Sequence, residues 1–202
     1  MSKIEVNQID TLSGSSTLLV GPSAATKLTF SSTLTVDFNV NSPGVTLSAD
    51  MKMTPAFHAY LGSTQSVGDT TTTKVQIDTE ILDTDGCYDN TTNYRFTPTV
   101  AGKYFVYACL NHHGTSGNNV QYGGTYIYKN GGSYASVRNN ANGSYPEEAM
   151  NVFVSAIVDM NGSTDYLELY TQTNTSSGSN GQLLFDNITK SCYFGAYRII
   201  GA

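Results

Sequence analysis

Residues 75–108 have the sequence VQIDTEILDTDGCYDNTTNYRFTPTVAGKYFVYA, and this stretch is the most informative part of the chain about the fold. An alternating strand passes through a polar, turn-rich segment into the strand GKYFVYA, which is apolar at most positions. Successive strand residues point to opposite faces, so Tyr104 and Val106 share one face. Phe105 and Tyr107 lie on the other. An antiparallel strand with two apolar faces needs cover on both, from its own core and from a partner. The stretch has no residue typical of a catalyst, so it predicts assembly rather than a reaction.

The composition indicates an all-β protein with an uncharged polar surface. Only 13% of the 202 residues are charged, about half the usual share. Ser, Thr, Asn and Gly are abundant instead, and the chain has 14 tyrosines and no tryptophan. No segment has the 3.6-residue apolar period of an amphipathic helix. The length is enough for one sizeable β domain and an extension.

Charge and hydropathy exclude several classes of function. The net charge is −6 and the 10 basic residues are spread thinly, so the chain lacks the basic stripe of a nucleic-acid-binding protein. No apolar run reaches the roughly 18 residues that a membrane-spanning helix needs. The first residues lack the apolar region of a secretory signal, which predicts synthesis in a cytoplasm without a signal peptide. Cys87, Cys109 and Cys192 fit neither a disulfide framework nor a zinc site, and we expect free thiols.

The chain divides into three segments. Residues 1–25 are small and polar with scattered apolar positions, which predicts an extended docking segment. Residues 26–53 contain short strands with one apolar face each, such as the period-2 run LTVDFNV. Such strands are marginal alone, and we expect copies from several chains to bury their apolar faces together in a β stem. Residues 54–202 form the main domain.

The main domain has many short strands with regular turn signals, which predicts a β-sandwich or jelly roll. The breakers include Asp85-Gly86 and Asn130-Gly131, dipeptides that tolerate the positive φ of tight turns. The predicted strands are 55–61, 74–81, 102–110, 120–129, 149–159, 164–172, 183–185 and 192–200.

Two further strands share the two-faced pattern of GKYFVYA. Val152 and Val154 oppose Phe153 in one of them, and Phe194 opposes Tyr193 in the other. A two-sheet sandwich covers only one face of each strand, and large apolar patches left open are a liability. We therefore expect an oligomer of closed cyclic symmetry, and a homotrimer suits a head on a fibre.

Polar loops and a set of tyrosines are the candidate recognition elements. Tyrosine offers contact area with a polar tip, so tyrosines in the predicted strands either pack against neighbours or line a sugar- or receptor-binding surface. These tyrosines are Tyr122, Tyr126, Tyr128, Tyr166 and Tyr170. The expected recognition loops, rich in Gly, Ser and Asn, are 111–124, 130–147 and 173–182.

A series of spaced landmarks runs through the domain: Ile77, Asp83, Tyr88, Phe96, Gly102 and Tyr104. It resembles the pattern of the C1q-like domain, a trimeric jelly roll related to the tumour-necrosis-factor (TNF) head. The strand 55–61, the Lys129-Asn130-Gly131 turn and residues 191–195 resemble further landmarks. The departures are Ile77 in place of an aromatic residue, one extra residue between Tyr88 and Phe96, and Val106 and Ala108 in place of Phe and an aromatic residue.

The resemblance spans about residues 54–202 and implies a homotrimeric C1q/TNF-like jelly roll. The sequence leaves open which face of each strand lies at the trimer axis. Nine aromatic residues are assigned to the core or the trimer interface: Phe57, Tyr60, Phe96, Tyr104, Phe105, Tyr107, Tyr193, Phe194 and Tyr197.

The one candidate metal site is the loop that carries Asp83, Asp85 and Asp89. Calcium prefers carboxylate oxygens, and some C1q-like domains bind calcium. The loop lacks the closing Glu of an EF-hand, so a solvated turn is the favoured alternative. His112 and His113 are expected in an exposed polar loop. No other cofactor is expected, and no nucleophile elbow, P-loop or Rossmann pattern occurs. The sequence therefore predicts no catalytic residues and a protein that is not an enzyme.

The N-terminal part resembles the start of short fibre proteins of tailed phages, especially marine ones. Together the two resemblances imply a structural protein of a virion, a trimeric tail fibre or appendage whose head mediates host attachment. The expected partners are two further copies of the chain, other virion proteins at residues 1–25, and a host-surface glycan or protein. The alternative is a capsid decoration or tail spacer that stabilises the particle without binding a receptor.

Overall fold

The computed structural model describes residues 52–115, 118–141 and 147–200, which all belong to the unit Thr46–Ala202. Residues 1–51, including the predicted docking segment and nearly all of the predicted stem, lie outside the described part. The described residues form thirteen strands and no helix. The strands are β1 (Ala56–Tyr60), β2 (Gln65–Val67), β3 (Thr73–Lys74), β4 (Thr79–Asp83), β5 (Tyr88–Asp89), β6 (Arg95–Phe96), β7 (Gly102–His113), β8 (Val120–Lys129), β9 (Gly132–Asn140), β10 (Ala149–Met160), β11 (Leu167–Thr175), β12 (Gly181–Leu183) and β13 (Tyr193–Arg198).

The strands form two antiparallel sheets. The first has the order β2-β12-β7-β13-β1-β4, and β10 pairs with the other edge of β7 along its whole length. The second has the order β5-β6-β11-β8-β9, with β3 also pairing with β11. This arrangement confirms the predicted all-β jelly-roll sandwich.

The core lies between the sheets and is centred on Phe57 of β1. Its ring stacks on Tyr88 at 4.5 Å and on Phe96 at 4.6 Å between centroids. Phe194 meets it edge-on at 5.0 Å. Stacked and edge-on pairs of this kind add to the stabilisation from burial, so strands from both sheets are joined around one aromatic cluster.

The central strand β7 shows which of its two apolar faces is the core. Tyr104, Val106 and Ala108 are fully buried, whereas Phe105 and Tyr107 on the other face are only partly buried. Small residues fit the core face because Ala108 pairs with the bulky Phe194, and Val106 pairs with Ala196. Close packing depends on this match of large and small neighbours.

Several predicted boundaries are wrong. The segment 74–81 divides between β3 and β4. The predicted loop 130–147 contains the whole of β9, and the predicted loop 111–124 contains the ends of β7 and β8. Strand β9 escapes the apolar pattern because it is an edge strand with mostly exposed residues. Asn130 and Gly131, both at positive φ, form the tight turn that pairs it with β8.

Candidate functional site

The outer face of the first sheet is rich in aromatic side chains. Every second residue of β1, β7, β10 and β13 points away from the core, and aromatic or aliphatic side chains lie at the centre of this surface, with polar residues toward the strand ends. We call this surface the aromatic face. Its main residues are His58, Tyr60, Phe105, Tyr107, Phe153, Ile157, Tyr193 and Tyr197.

The rings of the aromatic face form one connected layer. Phe105 lies 6.0 Å from Tyr107 and 5.5 Å from Tyr197 between ring centroids. Tyr107 lies 6.2 Å from Tyr193. His58 lies 5.8 Å from Tyr107. The layer is therefore preorganised before any partner binds.

Tyr107 occupies the middle of this layer, and two neighbours hold it there. Its hydroxyl lies 3.0 Å from Nδ1 of His58. Burial lowers the pKa of His58, which favours the neutral imidazole. Gly195 lies opposite Tyr107 in the strand register, and a Cβ at Gly195 would be 2.5 Å from the Tyr107 ring. The ring can cross β13 only because that residue has no side chain.

Strand β10 extends the aromatic face to the edge of the sheet. Phe153 is 49% exposed and Ile157 is 57% exposed. They pair with Cys109 and Phe105 of β7, so they continue the same face. Soluble monomers rarely expose contiguous apolar patches of this kind without a partner. The aromatic face is therefore a candidate protein interface.

The nine predicted core or interface aromatics separate into two groups. Four lie in the core, and five lie partly buried on the aromatic face. The core group is Phe57, Phe96, Tyr104 and Phe194, and the outer group is Tyr60, Phe105, Tyr107, Tyr193 and Tyr197.

The outer face of the second sheet carries a different surface, a row of tyrosines mixed with charged residues. We call it the tyrosine face. Tyr128 and Tyr170 stack at 4.1 Å between ring centroids. Arg138 donates a hydrogen bond from Nε to the Tyr126 hydroxyl at 2.9 Å. Its residues are Tyr122, Tyr126, Tyr128, Tyr166 and Tyr170, the same five that the sequence singles out.

Cations and amides cover part of the tyrosine face. The Arg95 guanidinium lies 4.7 Å from the centroid of the Tyr166 ring. The Tyr122 hydroxyl donates a hydrogen bond to Oε1 of Gln172. Desolvation raises the pKa of Tyr122, so its phenol stays protonated at neutral pH. The tyrosines therefore pack in part against one another, and the hydroxyls of Tyr122 and Tyr126 are held in a network with Gln172 and Arg138.

A cleft of about 490 Å³ opens beside β2 and β3. Polar residues from separate segments line it, among them Gln65, Lys74, Asp78 and Tyr94. Lys74 forms an ion pair with Glu168 of β11 at 2.5 Å between Nζ and Oε1. The sequence does not point to this cleft, because its residues are ordinary surface types far apart along the chain.

Comparison with solved structures decides the fold type. Murine APRIL at pH 5.0 superposes with a TM-score of 0.52 at 10% sequence identity, covering 71% of this chain and 98% of that one. Eiger TNF from S. frugiperda gives a TM-score of 0.54 at 10% identity, covering 73% and 93%. The domain is a TNF-like jelly roll. No protein-family model and no curated protein sequence matches the chain.

In this jelly roll, the predicted calcium loop is organised by hydrogen bonds to its own backbone. Asp83 accepts the N–H groups of Cys87 at 3.0 Å and Tyr88 at 2.9 Å. Asp89 accepts the N–H of Thr92 at 2.9 Å. Bonds of this type hold the pKa of Asp89 well below its usual range. The described residues contain no group of three or more His, Cys, Asp or Glu that could hold a metal ion, so Asp83, Asp85 and Asp89 do not come together as ligands.

The expectation of an exposed loop at His112 and His113 is wrong. Both residues belong to β7, and His112 is fully buried in the jelly roll. Its Nδ1 lies 2.8 Å from Oγ1 of Thr173, and its ring lies against the backbone of Gly123. Alternation along β7 continues to His113, which places His112 on the core face.

Across its described residues, the jelly roll also lacks any helix capable of crossing a membrane.

Proposed function

We propose that the chain is a non-enzymatic structural protein of a phage virion, a homotrimeric fibre or appendage whose jelly-roll head attaches to the host surface. The observation that carries this proposal is the preorganised aromatic face of the first sheet. It offers a broad apolar surface for association with other subunits, and the outer face of the opposite sheet offers a polar surface. A trimeric attachment head needs the first surface to assemble and the second to contact the host.

The occupant proposed for the aromatic face is a further copy of the same chain. The face is made mainly of rings and aliphatic groups, and its outward charges Lys103 and Asp159 pair with each other at 2.6 Å. Lys190 lies at its margin, 5.1 Å from the centroid of the Tyr60 ring. Copies can therefore approach the centre of the face without strong electrostatic repulsion. Fully burying a Phe or Ile side chain is worth about 1.5–3 kcal/mol. Half-exposed Phe153 and Ile157 would thus contribute about 1 kcal/mol each per subunit. Threefold closure would multiply this contribution and cover the aromatic face of every subunit.

The polar surfaces of the head would make the contact with the host. Trimerisation through the aromatic face would leave the tyrosine face, on the opposite sheet, accessible on each subunit. Three copies of one weak site on a rigid head raise the avidity without new contacts. Tyrosine and arginine are the side chains that recognition surfaces use most. Residues 1–25 would dock the trimer to the particle, in line with their resemblance to phage fibre proteins.

Location on the particle and binding to cells test this function. Antibodies raised against residues 54–202 should label intact virions by electron microscopy. The fluorescently labelled full chain should bind host cells and reduce phage adsorption when added first. Labelled virions without any cell binding would favour a capsid decoration or tail spacer. Absence of the protein from purified virions would overturn the proposal.

A further inference from the structure

The cleft beside β2 and β3 has walls that are fixed by internal hydrogen bonds. Gln65 donates from Nε2 to the Lys74 carbonyl at 2.8 Å and accepts the Gln76 N–H at 2.9 Å through Oε1. Gly62 donates its N–H to Oδ1 of Asp78 at 2.6 Å. Lys74 also donates from Nζ to the Asn93 carbonyl at 3.0 Å. The side chain of Gln65 therefore ties together two segments of the wall through both ends of its amide.

Other polar groups of the cleft are not engaged. Ser66, Gln76, Asp78 and Tyr94 are among its lining residues. The side chains of Ser66 and Gln76, Oδ2 of Asp78 and the hydroxyl of Tyr94 make no hydrogen bond with any residue that the structure describes. They comprise hydroxyl, amide and carboxylate ends, so donors and acceptors are both present. A cleft with fixed walls and free polar tips needs little reorganisation to bind a ligand.

Tyr94 gives the cleft an aromatic wall in an unusual backbone position. Its φ is +49°, in the left-handed region that bulky residues rarely adopt. Such conformations cost free energy and persist where the surroundings enforce them, often at binding sites. The Tyr94 ring is an aromatic surface on which one apolar face of a sugar can stack. The neighbouring polar groups that lack partners can then form hydrogen bonds with the hydroxyls of the sugar.

The charges of the cleft favour an uncharged ligand. Among the described residues that line it, Lys74 is the one cation, and Glu168 neutralises it across 2.5 Å. Asp78 adds a carboxylate, and the whole chain has a net charge of −6. An acidic polysaccharide would therefore meet repulsion at this wall of the cleft.

We infer that the cleft is a binding subsite for a neutral saccharide, with Tyr94 as the stacking platform and Gln76 and Asp78 as hydrogen-bonding groups. This inference rests on the proposed attachment function and names a site and ligand class for it. A longer saccharide would continue onto the tyrosine face, since Lys74 pairs with Tyr170 in the register and lies 5.9 Å from the centroid of its ring.

A tryptophan reporter tests the site directly, because the chain has no tryptophan of its own. Tyr94→Trp keeps an aromatic platform and makes its emission specific to the cleft. Full-length protein is screened on an array of neutral oligosaccharides of glucose, galactose and N-acetylglucosamine, together with acidic ones that contain uronic or sialic acid. The neutral ligand that binds best should shift or quench the emission of Tyr94→Trp. Tyr134→Trp on β9 is the matched control and should not respond.

Two conservative variants test the polar groups. Gln76→Ala removes an exposed side chain that bonds nothing among the described residues, and Asp78→Asn keeps the acceptor for the Gly62 N–H while it replaces the free oxygen with a donor. Each should weaken binding of the neutral saccharide about tenfold, the effect of losing one hydrogen bond of about 1.4 kcal/mol. Thermal melting of each variant should match that of the unsubstituted protein.

The outcomes separate this inference from the proposed function. Binding to cells with no array binding and no change in the emission of the Tyr94→Trp variant would overturn the saccharide site and leave attachment through another surface standing. Array binding that survives both cleft variants but is lost in Arg138→Ala would move the site to the tyrosine face and overturn the inference. A preference for acidic oligosaccharides over neutral ones would also overturn the inference. If the unsubstituted protein bound neither host cells nor any oligosaccharide on the array, the proposed attachment function itself would be overturned.

Discussion

His112 makes the stability of the jelly roll depend on pH in a way that can be calculated. Its imidazole is fully buried, and desolvation lowers its pKa from 6.5 to about 4. Nε2 has no hydrogen-bond partner among the described residues, so nothing there compensates a positive charge. The folded protein therefore binds the His112 proton about 300-fold less tightly than the unfolded chain does.

The sign follows from where the proton is bound. Between pH 6.5 and about 4 the unfolded chain takes up the proton and the folded protein does not. The free energy of unfolding is therefore unaffected by His112 above pH 6.5, and it falls as the pH is lowered through this window. The expected contribution of His112 to this loss is about 2 kcal/mol between pH 7.5 and pH 5 and about 3 kcal/mol below pH 4. Burial lowers the pKa of His58 as well, which adds a loss of the same sign.

Urea unfolding at pH 7.5 and pH 5.0, at one fixed protein concentration, measures this loss. His112→Gln keeps a polar side chain near Thr173 but cannot take up a proton. It should lose about 2 kcal/mol less than the unsubstituted protein between the two pH values. His113→Gln is the matched control, because it removes a neighbouring histidine whose side chain is 22% exposed. It should follow the unsubstituted protein. An equal loss in the unsubstituted protein and in His112→Gln would show that burial of the His112 imidazole does not cause the pH dependence.

Three further predictions concern the aromatic face, the core and the loop near β5. Gly195→Ala places a Cβ within 2.5 Å of the Tyr107 ring and should destabilise the fold by about 1–3 kcal/mol. Ring displacement should appear as a changed near-UV circular dichroism spectrum, and an unchanged spectrum would argue against it. Phe57→Ala should cost about 3–5 kcal/mol in urea unfolding because it empties the centre of the aromatic core; a cost below about 1 kcal/mol would contradict that role. Asp89→Ala leaves the N–H of Thr92 without its acceptor and should lower the melting temperature, with no dependence on added calcium; a calcium-dependent rise in the unsubstituted protein would show that the carboxylates bind the ion after all.

The two-faced strands could be predicted from the sequence because strand alternation has a fixed period of two. Met150, Val152 and Val154 alternate with Phe153, and the structure buries the first three. The sequence cannot decide which face is the core, since both are apolar. That choice depends on which residues face the other sheet, as where Ala108 meets Phe194.

The edge strand and the cleft could not be predicted for related reasons. Strand β9 has few apolar residues to bury, so its sequence shows no alternating apolar pattern. It is a strand because its backbone pairs with β8. The cleft joins Gln65, Lys74, Asp78 and Tyr94 from separate segments, and only the sheet topology brings them together. The polar residues that follow His112 in the sequence favour a loop at this point of the chain. The structure instead continues β7 through His112, and the side chain of His112 is buried because it lies on the core face of that strand.

Sedimentation equilibrium of the full chain at micromolar concentration tests the central claim, that copies of this jelly roll associate through the aromatic face. Three chains of 21.7 kDa predict a particle of about 65 kDa. The double variant Phe153→Lys, Ile157→Lys should dissociate it towards the monomer, because half-exposed apolar positions on that face would carry charge. Val137→Lys on β9, an exposed apolar position of the other sheet, should leave the trimer intact. A monomer of 21.7 kDa for the unsubstituted chain, or a trimer that survives the double variant, would contradict the account.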